Sequence, residues 1–86
     1  MAREEQTPQQ RAEGDLRAAQ DSVGVINEAV SAGEHNQQVD SRVEANYQHL
    51  ELVLARDHVI EYVAANSTDI SAITGAIAAG KSFLGK

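Results

Sequence analysis

The stretch from residue 39 to residue 65 constrains the fold more than any other, because it is rich in large apolar side chains and contains neither glycine nor proline. Such a run favours a helix, and we predict one long helix over residues 37–65. At about 100° per residue, one apolar stripe comprises Val39, Val43, Tyr47, Leu50 and Leu54. A second set gathers on roughly the opposite side: Leu52, Val53, Val59, Ile60 and Val63. A helix with two apolar sides is expected to meet two different partners.

The segment before it carries a narrow apolar stripe of the kind found in coiled coils. Its members recur at intervals of three and four residues: Ala12, Leu16, Ala19, Val23, Ile26 and Val30. Thr7 before Pro8 is a suitable N-cap, and Gly33 is a suitable left-handed C-cap. These signals predict a first helix over residues 8–32, with a flexible polar arm at residues 1–10.

The last segment predicts a shorter third helix over residues 68–84. Ser67 or Thr68 can cap it, and Asp69 suits the positive end of its dipole. Its apolar stripe comprises Ile70, Ile73, Ile77 and Leu84. Small residues beside the stripe, including Gly75 and Gly80, allow a neighbouring backbone to come close. The third helix is expected to pack, within one chain or between two copies, on the side of Leu52, Val59, Ile60 and Val63.

Together these elements predict an all-α fold, an antiparallel helical hairpin with a third, shorter C-terminal helix, in a single domain over residues 11–86. A chain of this length buries only about 60% of its unfolded surface, and this one has three aromatic rings with which to fill a core. We therefore expect a homo-oligomer. The expected interface residues are Leu52, Val59, Ile60, Val63, Ile73, Ile77 and Leu84.

Charge and composition argue against several classes of function. The net charge is −6, and phosphate contacts need clustered Lys and Arg, so no nucleic-acid partner is expected. Basic protein surfaces are the favoured partners. The absence of cysteine excludes disulfides and thiol chemistry. No apolar run is long enough to span a membrane, and the first ten residues do not form a secretory signal, so we predict a cytoplasmic protein.

Residues 75–82 match the nucleotide-binding pattern G-x-x-x-x-G-K-[ST]. That pattern works as a loop after a strand, with a distant acidic residue for magnesium. The surrounding sequence predicts helix instead, so no cofactor is expected. His49 and His58 fall on nearly opposite sides of one helix, which argues against a metal site. We interpret Asp57 and Glu61 as a solvated helix side or a salt-bridge seam with another copy. The prediction is that the protein is not an enzyme.

Two segments of the second half, HLELVLAR at residues 49–56 and IAAGKSFL at residues 77–84, resemble small uncharacterised helical proteins of tailed bacteriophages. In those proteins a segment like HLExxLA[RK] precedes an ending like AAIAAGxxFL. The resemblance implies a phage or prophage origin, with a location in the host cytoplasm or the virion, and transfers no catalytic residue. A non-enzymatic structural or assembly protein, acting through protein–protein contacts as a minor virion component, fits this origin. The alternative is an acidic inhibitor of a host defence or nucleic-acid enzyme.

Overall fold

The computed structural model describes residues 7–86, and this range contains four α-helices and no strand. The helices are α1 (Pro8–Ala32), α2 (Gln37–Ala55), α3 (Asp57–Asn66) and α4 (Ser71–Phe83). An all-helical fold is therefore confirmed. The predicted flexible arm falls largely on residues 1–6, outside the described residues, and its last three residues, 8–10, belong to α1.

Both predicted ends of α1 are confirmed. The Thr7 hydroxyl accepts a hydrogen bond from the backbone N–H of Gln10 at 3.1 Å, and the Gln10 side chain accepts one from the Thr7 N–H at 3.0 Å. This reciprocal capping box satisfies two N–H groups that the first turn would otherwise leave unpaired. At the other end Gly33 is left-handed, with φ 68°, and donates to the Ala29 carbonyl. Local residue chemistry thus sets the length of α1.

The prediction of one continuous helix over residues 37–65 is wrong, because the helix breaks at Arg56. Arg56 has an extended backbone with ψ 132° and separates α2 from α3. In an unbroken helix, Asp57 and Glu61 would continue the buried stripe of α2. The break changes the phase of the helix, so that both carboxylates are exposed and Val59 is fully buried. A single extended residue therefore accounts for the change of apolar side, which the sequence pattern had indicated as contact with a second partner.

All four helices contribute to one core. Its buried apolar residues are Ala12, Ala19, Ile26, Val43, Tyr47, Leu50, Val53, Val59, Ile73 and Ala76. The chain reverses direction after α1, since Asp15 near the beginning of α1 contacts Arg56 at the end of α2. Helix α1 packs against the other three helices. The core is thus arranged around the longest helix.

The position and start of α4 differ from the predictions. It packs on α1 and α2 and makes no contact with α3, whereas the expected neighbours included three residues of α3. Its predicted capping residue Ser67 instead adopts a left-handed conformation, φ 49°, and ends α3. Helix α4 begins at Ser71, whose N–H is accepted by the Asp69 carboxylate at 2.9 Å. The connection after Ser67 leads away from α3, and α4 packs on α1 and α2 instead.

Gly80 lets α4 come close to α2. A β-carbon added there would lie 3.2 Å from Cβ of Tyr47 and 3.4 Å from Cγ1 of Val43. Cβ of Tyr47 is fixed by the backbone of α2, and Val43 is fully buried, so neither atom can swing aside as the end of a long side chain could. Gly75, five residues earlier on α4, has no neighbouring atom within 4 Å of an added β-carbon. The two glycines therefore differ in packing although they lie in the same helix.

We predict opposite effects of alanine at these two positions. Gly75→Ala should stabilise the protein by about 0.5–1 kcal/mol, because alanine is the better helix former and the site is open. Gly80→Ala should destabilise it by about 1–2 kcal/mol net, because the added methyl group pushes α4 from α2. Thermal unfolding followed by circular dichroism measures both changes. Equal increases in Tm for the two variants would contradict the close contact of α4 with α2.

Candidate functional site

An apolar groove of about 310 Å³ lies beside α3. Its lining is formed by six apolar residues: Leu54, Val59, Ile60, Val63, Ala64 and Ile70. The groove is open because α4 does not contact α3. Ile60 is 51% exposed and lies among the other apolar lining residues. We call this surface the α3 groove.

The local backbone explains how the groove forms. The break at Arg56 sets the phase of α3, so that Val59 points into the core and is 0% exposed. Ile60 follows about 100° around the helix and lies at the open side. Ser67 then ends α3, and the connection brings Ile70 to the groove before α4 begins. Of these two consecutive β-branched residues, Val59 thus belongs to the core and Ile60 to the surface.

The seven expected interface residues are divided between different places. Val59, Ile60 and Val63 come together in the α3 groove. Leu52 is 56% exposed, but it lies about 160° around α2 from the groove residue Leu54. The remaining three belong to α4 and its end, where they are buried in the core or packed against it within the same chain: Ile73, Ile77 and Leu84.

Three groove residues were absent from that expected set. Leu54 was assigned to the first stripe of a continuous helix, and Ile70 to the stripe of the third helix. Ala64 carries no signal of its own, because a small residue on a helix fits almost any environment. For Leu54 and Ile70, the only sequence signal was their apolar character at the ends of the segments that flank α3. The groove depends on the break at Arg56, which the helical pattern did not reveal.

Three exposed acids lie near the α3 groove in the chain, but none belongs to its lining. Asp57 and Glu61 lie about 20° and 60° around α3 from the lining residue Ala64, and Glu61 lines a separate hollow beside the start of α1. Asp69 lines another hollow, between α1 and α4. Hydrogen bonds from the side chain and backbone of Ser71 hold the pKa of Asp69 below its ordinary value, so it remains ionised at neutral pH.

The two basic residues that bound this part of the chain have acidic partners. Arg56 Nη1 lies 3.0 Å from Asp15 Oδ1, and Lys81 Nζ lies 2.8 Å from Glu51 Oε2. Neither basic residue lines the α3 groove, whose lining is apolar throughout.

A second cluster of ionisable groups lies at the junction of α2 and α3. The Asp15 carboxylate accepts a hydrogen bond from Arg56 through one oxygen and one from His58 Nε2, at 2.6 Å, through the other. Burial raises the pKa of Asp15, but the hydrogen bonds from His58 and Arg56 outweigh it and hold the pKa below its ordinary value of 3.8. The cluster ties α1 to the break between α2 and α3.

The residues of the other sequence motifs lie outside the α3 groove. The residues that match the nucleotide-binding pattern, 75–82, lie within α4 rather than in a loop. His35 stacks on Phe83, with 4.0 Å between ring centroids, and lies 3.1 Å from Asp40. Across residues 7–86, no group of three His, Cys, Asp or Glu side chains is placed to hold a metal ion. In the same range, no helix is both long and apolar enough to cross a membrane.

We predict that Asp15→Asn destabilises the protein by about 1 kcal/mol near pH 5, since it removes charged hydrogen-bond partners at a partly exposed site. A carboxylate whose pKa is lowered on folding stabilises the fold above its unfolded-state pKa, and loses that effect as pH falls through its folded-state pKa. The difference from wild type should therefore vanish toward about pH 2. Thermal unfolding between these pH values measures it. Asp21→Asn, an exposed change on the same helix, is the control.

We also predict different outcomes for a charge at two adjacent residues of α3. Val59→Asp should cost at least about 3 kcal/mol, because it places a carboxylate in the core without a partner. Ile60→Asp should change stability by less than about 1 kcal/mol, because that side chain already faces solvent. Chemical denaturation of both variants checks this. Similar losses of stability in the two variants would show that Ile60 is covered in solution.

Comparison with known proteins supplies no relative from which a role could be transferred. No family model, no curated protein and no solved structure matches the chain. The function has therefore to be inferred from the surfaces that this chain itself presents. Among the described residues, the α3 groove is the surface with the strongest physical indication of a contact.

Proposed function

We propose that this protein is a non-enzymatic structural or assembly protein that acts through protein–protein contacts at the α3 groove. The phage resemblance suggests the virion as its setting, with a role as a minor component. The observation that carries the proposal is the half-exposed Ile60 within a continuous apolar surface. Apolar surface of this kind is favourable to bury against a partner.

The lining of the α3 groove favours a protein partner over a small molecule. Sites for small ligands place a few polar groups among apolar walls, and those groups fix the orientation of the ligand. All six residues that line the α3 groove are apolar. Such a surface gives affinity through burial but little orientation, which suits apolar side chains that another protein holds in place.

The arrangement of ionisable groups also supports a non-enzymatic role. Arg56 and His58 both pair with Asp15 and tie α1 to the break between α2 and α3. Lys81 in the nucleotide-binding pattern is engaged with Glu51. These contacts hold helices together, and none of these ionisable groups lines the α3 groove.

The alternative of an acidic inhibitor has weaker support over much of the surface. Glu44 and Glu51, two acids that such an inhibitor could present, already pair with Lys86 and Lys81 at 2.6 and 2.8 Å. Their charge is partly balanced within the chain. Apolar contact at the α3 groove therefore remains the preferred hypothesis.

A displayed library of helical peptides, with varied apolar anchors and neutral residues elsewhere, tests the proposal. We predict that peptides selected on the wild-type chain lose at least about tenfold in affinity for Ile60→Asp, because a charge in the groove opposes apolar burial. They should keep their affinity for Leu52→Asp. This variant changes an equally exposed residue outside the groove and is the matched control.

Light scattering of the same three proteins over a concentration series shows whether the groove also binds a second copy. Association that is lost in Ile60→Asp and kept in Leu52→Asp would support contact through the α3 groove. The proposal is wrong if no peptide is selected and wild-type chains stay monomeric. It is also wrong if selected peptides bind wild type and Ile60→Asp equally.

A further inference from the structure

A second hollow, of about 180 Å³, lies between the start of α1 and one side of α3. It is lined by Pro8 and Gln9 of α1 and by five residues of α3: His58, Glu61, Tyr62, Ala65 and Asn66. At about 100° per residue, these five lie on the opposite side of α3 from the residues of the α3 groove. We call this surface the α1–α3 hollow. It shares no lining residue with the α3 groove.

The size and lining of the α1–α3 hollow suit a small polar group. Sites for small ligands set a few polar groups among apolar walls, and the walls here include Pro8, Ala65 and the half-buried Tyr62. The volume is smaller than the roughly 300 Å³ at which pockets for larger ligands begin. The hollow is therefore suited to one charged or polar group with a short chain attached, rather than to a whole cofactor.

Hydrogen bonds fix the orientation of the two amide side chains in the lining. Gln9 Nε2 donates to a carboxylate oxygen of Glu13 at 3.3 Å, and Asn66 Nδ2 donates to the Tyr62 carbonyl at 2.9 Å. Both partners can only accept, so the NH₂ group of each amide faces its partner. The side-chain carbonyl oxygen of each amide is left to accept a hydrogen bond.

The contact with Asp15 fixes the tautomer of His58 in the same way. His58 Nε2 lies 2.6 Å from Asp15 Oδ2, and an ionised carboxylate can only accept, so Nε2 carries a hydrogen. In the neutral ring the other nitrogen, Nδ1, is then an acceptor. The pair that ties α1 to α3 therefore leaves this lining residue with an acceptor atom.

The lining is thus rich in acceptors and carries a negative charge. Glu61 is exposed and adds a carboxylate, and the Tyr62 hydroxyl can both donate and accept. No Lys or Arg belongs to the lining. Acceptors together with one full negative charge favour a cation that donates hydrogen bonds.

Of the common cations, a primary ammonium group matches this lining best. A metal ion needs several His, Cys, Asp or Glu ligands, and residues 7–86 hold no group of three that is placed to bind one. A quaternary ammonium group is recognised by a cage of aromatic rings, and Tyr62 supplies a single ring to the lining. A primary ammonium group carries three N–H donors, which amide, imidazole and carboxylate acceptors satisfy.

We propose that the α1–α3 hollow binds a primary ammonium group, with Glu61, His58 Nδ1 and the amide oxygens of Gln9 and Asn66 as its acceptors. The Glu61 carboxylate supplies the charge, and the neutral acceptors select a group that donates hydrogen bonds. Asp15 acts as a positioning residue, because it holds His58 in the tautomer that accepts at Nδ1. This inference goes beyond the proposed function, since it concerns a different surface.

Titration with butylammonium, which reproduces the end of a lysine side chain, tests the inference. Two-dimensional ¹H–¹⁵N NMR spectra of the whole chain should show saturable shifts at residues 58–66, with binding at least about fivefold tighter than that of 1-butanol. The alcohol has the same chain without the charge. Equal binding of the alcohol, or the absence of saturable shifts at these residues, would overturn the inference. Tighter binding of butylguanidinium than of butylammonium would overturn it too.

Two variants show whether Glu61 itself is responsible. Glu61→Gln keeps the shape of the side chain and should weaken butylammonium binding at least about fivefold. Glu28→Gln changes the net charge equally, at an exposed residue of α1 outside the hollow, and should leave binding unchanged. An equal loss in both variants would show attraction by net charge alone, and the inference would then be wrong.

Peptide probes distinguish the two sources of such a group, a free amine and a lysine side chain of another protein. The capped tripeptide Gly-Lys-Gly is compared with its norleucine counterpart and with butylammonium. Tighter binding of the lysine peptide than of butylammonium supports the inference and assigns the group to a protein. Tighter binding of butylammonium supports it and assigns the group to a free amine. Equal binding of the lysine and norleucine peptides contradicts it.

Discussion

The arrangement of the other elements depends on the interaction of Asp15 with Arg56, at the helix break, and with His58, just after it. Arg56 leaves the helical conformation, and its side chain and that of His58 both bind the Asp15 carboxylate. Leaving the helix costs backbone hydrogen bonds, so the break needs such contacts with α1. The break changes the phase of α3, so that Val59 lies in the core while Asp57 and Glu61 face solvent.

The docking of α4 has a separate physical basis and decides which surface stays open. Gly80 allows close contact with Tyr47, while Lys81 and Lys86 pair with Glu51 and Glu44 of α2. The hydrogen bonds that the two lysines donate to these acids raise the pKa of both lysines, which favours their charged forms. Small-residue packing and complementary charge therefore direct α4 to α2. Helix α3 is left without a neighbour on its outer side, and the α3 groove results.

The α3 groove results from both the break at Arg56 and the position of α4. Its floor comes from α3 in the phase set by the break, and its opening comes from the position of α4. Burial of this apolar surface is the physical basis of the proposed protein–protein contact.

The sequence alone determined the all-helical fold and both ends of α1, because Thr7, Pro8 and Gly33 act on their immediate neighbours. It also predicted Val59, Ile60 and Val63 as one apolar group, and the structure brings these three together beside α3. The break at Arg56 could not be predicted, because the partners Asp15 and His58 that favour it are 43 positions apart in the chain. The α3 groove likewise required the tertiary structure, since the choice of neighbour by α4 depends on contacts between distant segments.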